Sequence, residues 1–288
     1  MAKRFILNAD DFGMSKAVNR AVLEAYDSGF LKSVSLTPNG EYFDEAVNEI
    51  LPKCSDLGVG IHLNIMSGKS LCSDIDLIAD SDMHFYNSYI SLIIKTYNPK
   101  NKEILPQMER EFRRQIEKVM AKTRVSHIDS HCHIHSIPCI FDLVCRLAKE
   151  YGIPQVRTHF EKFYIVPEPI RHLKKDYYIN TARKMLLNFL TIFNENTVHK
   201  YGLKTNDYLI GTSYEASMDS LAVAYGIKVL KYDNITVEAF IHPGRYEEGL
   251  IDNHFDEYLL TKNKKLEDKI LRSGYDITNY VEEPAESN

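Results

Sequence analysis

His127-Ile128-Asp129-Ser130-His131-Cys132-His133-Ile134-His135 puts a titratable side chain on every second position, with Ile, Ser, Cys and Ile between them. Successive side chains of an extended strand point to opposite faces. A strand over the whole stretch would therefore present His127, Asp129, His131, His133 and His135 on one side. Such a row is poor core material, because imidazoles and carboxylates buried without partners cost free energy. It is good material for metal binding or proton transfer. One isolated histidine would read as an exposed loop residue; four at this spacing read as a site. Cys132, turned away from its neighbours by the same alternation, reads as a small buried residue.

Working outward, short apolar runs alternate with stretches of helical periodicity. Arg4–Ala9 reads as a buried strand that stops at Asp10-Asp11-Phe12-Gly13. A helix follows, with Ser15 as its cap, Val18, Ala21, Val22 and Ala25 as its inner stripe, and Gly29 at its end. Ser33–Thr37 and Leu57–Leu63 read as further strands, with a helix marked by Phe43, Ala46, Val47 and Ile50 between them. A helix over 107–122 leads into the histidine-rich strand, and another runs from Pro138 to Tyr151, stopped by Gly152 and Pro154. Gln155–Arg157, Tyr208–Gly211 and Ile235–Ile241 complete the strands. Ala182, Met185, Leu186, Phe189, Leu190 and Phe193 mark a helix between the first two, and 256–271 reads as a helical tail with frayed acidic residues after it.

This alternation, without a long linker, argues for an α/β fold: a parallel sheet covered by helices, most economically a closed (β/α) barrel. Residues 1–288 read as one domain, with insertions around 67–106 and 158–206. In such barrels chemistry sits at the C-terminal ends of the strands. Asp10, Asp11, His62, the His131 cluster, Arg157 and His242 all fall there. Independent structural roles would not predict that coincidence.

The bulk composition narrows the function classes. A net charge of −5 provides no general basic field for nucleic acid. No run approaches the ~20 consecutive apolar residues of a membrane helix. The apolar start leaves no room for a secretory leader, so a cytoplasmic location is expected. The five cysteines include no Cys-x-x-Cys pair, against a disulfide framework or zinc knuckle. The 18 tyrosines leave room for a homodimer surface.

One Asp and two His on different strand ends match a three-ligand catalytic metal site with open positions for water. Asp10 and Asp11 are adjacent, so only one faces the metal directly and the other takes another task. A carboxylate beside such a site can act as general base, and a histidine opposite can protonate the leaving group. Arg157 can hold the base carboxylate ionised. Asp129 suits the part of a carboxylate that fixes a histidine tautomer from behind. Together these are the equipment of metal-assisted hydrolysis of an amide or ester.

Five segments carry a resemblance: Asn8–Gly13, Val59–Leu63, His127–His135, Tyr151–Pro154 with Val156-Arg157, and Val237-Glu238 through His242-Pro243-Gly244. In this order they resemble the YdjC family of carbohydrate deacetylases, which includes the diacetylchitobiose deacetylases. The resemblance implies a (β/α) barrel, irregular or seven-stranded, related to the polysaccharide deacetylases. It implies one divalent metal ion, Mg²⁺ by the family's habit, although two imidazoles also suit Zn²⁺. It implies removal of acetyl from a small N-acetylated sugar. Carried over by position, Asp11, His62 and His131 would be the metal ligands, Asp10 the base and His242 the acid, with His133 and His135 binding substrate or donating the proton. Cys132 departs from the polar residue common in the family. The stretches 67–106 and 158–206 match poorly, which leaves the sugar unspecified. Two rivals stand beside this reading. A barrel phosphoesterase or two-metal amidohydrolase would begin with His-x-His on the first strand, where this chain has Asp10-Asp11. A sugar-binding protein without catalysis would not need all four chemical roles filled.

Overall fold

The computed structural model describes residues 3–173, 175–215, 217–244 and 254–281, so the acidic end expected to fray lies outside the described residues. Strands and helices alternate as the periodicity requires: β1 Lys3–Phe12, α1 Lys16–Ser28, β2 Ser33–Leu36, α2 Phe43–Glu45, β3 Gly58–Leu63, α3 Tyr89–Tyr97, α4 Ile104–Met120, β4 His127–Ser130, α5 Pro138–Glu150, β5 Gln155–Val156, α6 Pro169–His172, α7 Lys175–Tyr201, β6 Tyr208–Ile210, α8 Ser220–Lys228, β7 Thr236–Ile241, α9 His254–Thr261, α10 Lys264–Arg272 and β8 Tyr275–Thr278. Ser15 caps α1 by accepting from Val18 N at 3.2 Å. Gly29 ends that helix in an extended conformation rather than the left-handed one usual for a glycine cap.

Seven parallel strands run in the order β5-β4-β3-β2-β1-β7-β6, so β1, the first in the chain, lies inside the sheet. The sheet is a curled half-barrel whose outer strands β5 and β6 share no ladder. Single bonds span the gap: Val156 N to Lys204 O at 3.1 Å, Lys204 N to Pro154 O at 2.9 Å and Leu209 N to Phe160 O at 2.8 Å. A two-residue β5 is too short to do more. The expected helical tail is two helices followed by β8, which pairs with the first residues of β1, Lys3 to Ile6. Among the described residues, no helix is long and apolar enough to cross a membrane.

The interior of the sheet is unusually polar. His127 lies in the barrel centre, stacked on Tyr280 with ring centroids 4.1 Å apart. Gly60 on β3 makes room for it, since a Cβ there would meet the imidazole at 2.3 Å. Outside the sheet, α4 anchors the 67–106 insertion with three buried polar residues at helical spacing. Gln115 accepts from Asn64 N, Glu111 from Leu71 N and Cys72 N, and Gln107 from Leu77 N, all within 3.0 Å.

The helix predicted from Ala182 to Phe193 forms as part of α7, but its apolar stripe does not face the core. Met185, Leu186, Phe189 and Phe193 are exposed, and Asn180, Lys184, Thr191 and Asn194 are buried in their place. The buried side of the helix is mixed, since Tyr177, Leu187 and Val198 lie beside these polar residues.

Candidate metal centre and its surroundings

Two adjacent aspartates on a strand should point to opposite faces. Between Ala9 and Phe12, however, β1 carries one residue more than its partner β2, a bulge. Asp11 takes a left-handed φ of 62° there, a conformation that costs energy for a non-glycine residue and recurs at functional sites. Asp10 stays inside the barrel, 1% exposed, while the Asp11 side chain reaches the rim at 16%.

At that rim three strand ends converge. Asp11 Oδ1 lies 2.9 Å from His131 Nδ1 and 3.3 Å from His62 Nε2. One ligand atom from each of Asp11, His62 and His131 lies within 4.8 Å of the others. Donors about 2.0–2.2 Å from one ion stand roughly 3 Å apart, so the spacing fits a shared divalent cation. His62 donates its other nitrogen, Nδ1, to Asp129 Oδ1 at 2.7 Å, which frees Nε2 to face the centre. Burial disfavours charge on these groups, but their mutual contacts outweigh it. Asp11 is held well below the usual carboxylate range by His131 and His62. His62 is pushed well up by Asp129 and Asp11, and His131 rises to about 9 through Asp11. Without an ion, protons do the neutralising.

A second triplet, Asp10, His62 and Asp129, also falls within ligand spacing. It holds a guanidinium instead. Arg157, itself 0% exposed, donates from Nη1 to Asp10 Oδ2 and from Nη2 to Asp10 Oδ1, both at 2.7 Å. Its Nη2 also lies 2.7 Å from Asp129 Oδ2, and its Nε donates to Glu238 Oε1 at 2.9 Å. One arginine thus holds three buried carboxylates in a fork-like arrangement. A cation placed beside it would be repelled; Asp129 is sealed from water, while Asp10 keeps about 1% of its surface accessible. Burial raises the Asp10 pKa but the Arg157 charge outweighs it, so the carboxyl stays ionised. Glu238 is pushed up to about 7, because burial exceeds its share of Arg157. Tyr280 donates its hydroxyl to Glu238, and Asn8 and Ser35 donate to Asp10 and Asp129.

The sequence marks some of these supporting groups. Glu238 is a lone charge in the apolar run Ile235–Ile241, and Ser33 and Ser35 alternate along β2. Tyr280 carries no such mark.

Beyond Ser130 the histidine row leaves the strand, which corrects the expectation of one shared face. Residues His131–Ser136 form a 3₁₀ turn in which Cys132 and His133 have φ of 53° and 57°. The turn separates the histidines. His131 reaches the rim. His135 is fully buried, with Nδ1 2.5 Å from Ser130 Oγ and Nε2 3.1 Å from Arg157 O, and burial lowers its pKa to about 3. It is a structural neighbour of Arg157 and offers no atom to a substrate. His133 is 4% exposed, with Nε2 3.8 Å from Glu215 Oε2, and Glu215 is also bonded by Arg183. Cys132, expected inside, is exposed.

His242, at the end of β7, has a side chain 17% exposed and its Nδ1 3.7 Å from Glu257 Oε2. Burial lowers its pKa, but Glu257 and the charges of Asp11 and Asp10 raise it to about 10, so the imidazolium carries a proton at neutral pH. A pocket of about 430 Å³ opens beside the triad, lined by Met14, Asn39, Ser67, Lys69 and His84 among others. It continues the same strand ends: Met14 N donates to Asp11 O at 3.0 Å, and Asn39 accepts from Asn64 at 3.1 Å. A larger one, about 770 Å³, lies at the opposite end of the strands near Arg4 and Ser126, away from these groups.

The family model described as YdjC-like protein matches residues 4–275. A carbohydrate deacetylase of Clostridium beijerinckii is 38% identical over 152 residues, 52% of this chain and 58% of that protein. One from Brevibacillus brevis is 37% identical over the same shares. A third, from Thermoanaerobacter pseudethanolicus, is 28% identical over 227 residues, 75% of this chain and 88% of its own. The matched region therefore spans little more than half of the first two relatives. Among solved structures, a protein of Enterococcus faecalis provisionally assigned to cellobiose-phosphate cleavage superposes with a TM-score of 0.73 at 20% identity, covering 98% of both chains.

Proposed function

The chain belongs to the YdjC-like family, and from that premise we propose that it is a metal-dependent hydrolase removing the acetyl group from a small N-acetylated sugar such as N,N′-diacetylchitobiose. The observation that carries this reading is the separation of two carboxylates on adjacent residues. The β1 bulge sends Asp11 to the open rim with His62 and His131, while Asp10 stays behind, ionised by Arg157. An amide hydrolase needs both an ion site and a base that is not one of its ligands. Three relatives that share the matched region are carbohydrate deacetylases.

A divalent ion held by Asp11, His62 and His131 would polarise the acetamide carbonyl and acidify water; Mg²⁺ follows the family and Zn²⁺ suits the two imidazoles. The residues supply the remainder. Asp10 Oδ2 accepts from Arg157 Nη1 and keeps a lone pair for the proton of the attacking water. Arg157 fixes the plane of that carboxylate through two parallel bonds. His242, protonated through Glu257, delivers a proton to the sugar nitrogen as the C–N bond breaks and acetate leaves. The pocket at Met14 and Asn39 has room for the neighbouring sugar, and His133, paired with Glu215, is a further candidate for a substrate contact.

The test is acetate release from N,N′-diacetylchitobiose by the metal-stripped protein, with Mg²⁺ and Zn²⁺ added back singly. Release restored by one ion supports both reaction and cofactor. No release with any ion, from this or other N-acetyl sugars, contradicts the reading.

A further inference from the structure

Helix α1 buries an amide in the stripe where apolar residues belong. Val18 is only half-buried, while Asn19 beside it is 0% exposed, in line with Val22 and Ala25. An asparagine inside a helix competes with its backbone, and a buried amide costs free energy unless it is hydrogen-bonded. Here both polar atoms are paired. Oδ1 accepts from Gly13 N at 2.9 Å, and Nδ2 donates to Tyr42 O at 3.1 Å and to Glu45 Oε2 at 2.8 Å. The partners fix which way the amide faces, since a peptide N–H only donates and a carbonyl only accepts.

The bond to Gly13 falls two residues after Asp11. Asp11 is left-handed, and such a residue keeps that conformation only where its surroundings impose it. Backbone bonds hold part of this bend: Met14 N donates to Asp11 O at 3.0 Å, Thr37 N to Phe12 O at 2.8 Å and Tyr42 N to Gly13 O at 2.9 Å. The Asn19 bond differs in coming from a side chain, so a substitution can remove it. Gly40 closes the bend from the other side, where a Cβ would stand 2.3 Å from Gly13 O. Through Tyr42 and Glu45 the same amide also ties α1 to the start of α2.

We propose that Asn19 is a positioning residue for the metal centre: its amide clamps Gly13 and so keeps Asp11 at the rim, facing His62 and His131. The inference rests on the reading of Asp11 as a metal ligand and adds to it a residue that touches neither ion nor substrate. Without the clamp Asp11 can leave the left-handed region, and apparent affinity falls by the fraction of molecules that still hold the site assembled.

The experiment is calorimetric titration of the metal-free protein with Zn²⁺ and with Mg²⁺, for the wild type, Asn19→Leu and Val22→Ala, with thermal melts of each. Leu matches Asn in size and removes both donor and acceptor. Val22, on the same helix and also 0% exposed, has no polar atom to offer the bend, so its truncation lowers the melting temperature and leaves the clamp in place. Asn19→Leu should weaken ion binding by about 10-fold or more. Val22→Ala should weaken it by less than about 2-fold. An Asn19→Leu protein that binds like the wild type overturns the proposal. Equal weakening in Val22→Ala overturns it too, because the effect would then be one of stability. Should Asn19→Leu not fold, Asn19→Ser, whose shorter side chain leaves Gly13 N unpaired, is judged by the same criteria. A wild type that binds neither ion removes the metal centre and this proposal with it, a failure visible before any variant is compared.

Discussion

Replacing Arg157 by Gln removes the one cation that three buried carboxylates share and leaves a neutral side chain two atoms shorter. Asp10, Asp129 and Glu238 are at most 1% exposed, and each has an oxygen within 2.9 Å of the guanidinium. Taking one partner from a buried ion pair typically costs about 3–5 kcal/mol, because the charges left behind are uncompensated. At about 2–4 °C per kcal/mol for a chain of this size, melting should fall by about 10 °C at pH 7.5. The loss should also depend on pH, and the sign follows from linkage. In the wild type Asp10 and Asp129 are held below their ordinary values, so they contribute stability that is lost as pH falls. In the variant the stranded carboxylates are pushed above their unfolded values, so stability is lost as pH rises. The gap between the two proteins should therefore be widest near pH 7.5 and shrink toward about pH 5. Thermal melts of both proteins across that range measure it. A gap under about 1 kcal/mol, or one that does not change with pH, would refute the claim that Arg157 neutralises this cluster.

Three further outcomes follow. Asp129→Asn weakens the carboxylate that orients His62, so metal affinity measured by calorimetry should fall by about 10–100-fold, and an unchanged affinity would remove Asp129 from that part. His242→Gln should lower kcat by about 10²–10⁴ with little change in KM, whereas a rise in KM alone would make His242 a binding residue. Because His62 and His131 are pushed up when no ion is present, an ion must displace their protons; affinity should rise with pH between about 6.5 and 8.5, with protons released on binding, and pH-independent binding would count against these ligands.

The strand ends were legible because a parallel barrel concentrates polar residues where apolar runs stop. Asp10, His62, Arg157 and His242 each follow or close such a run, and the fold brings them to one end of the sheet. Alternation correctly carries His127 and Asp129 to the barrel interior as far as Ser130. It fails at Cys132, where two left-handed residues start a turn that no periodicity encodes, and so His135 lands behind Arg157. The β1 bulge was hidden for the same reason, since its extra residue is visible only against the register of β2. The apolar stripe of α7 marks the helix but not its orientation, because sequence periodicity reports an apolar face and not what covers it. Tyr280 carries no mark in the sequence because its partner Glu238 lies 42 residues away and only the fold brings the two together.

The division of labour between Asp10 and Asp11 is the centre of this account, and metal content with acetate release for Asp10→Asn and Asp11→Asn tests it most directly. Asp10→Asn should keep its ion and lose at least about 10²-fold in turnover, while Asp11→Asn should lose both. An Asp10→Asn protein stripped of metal, or an Asp11→Asn protein that still binds it tightly, would contradict the assignment.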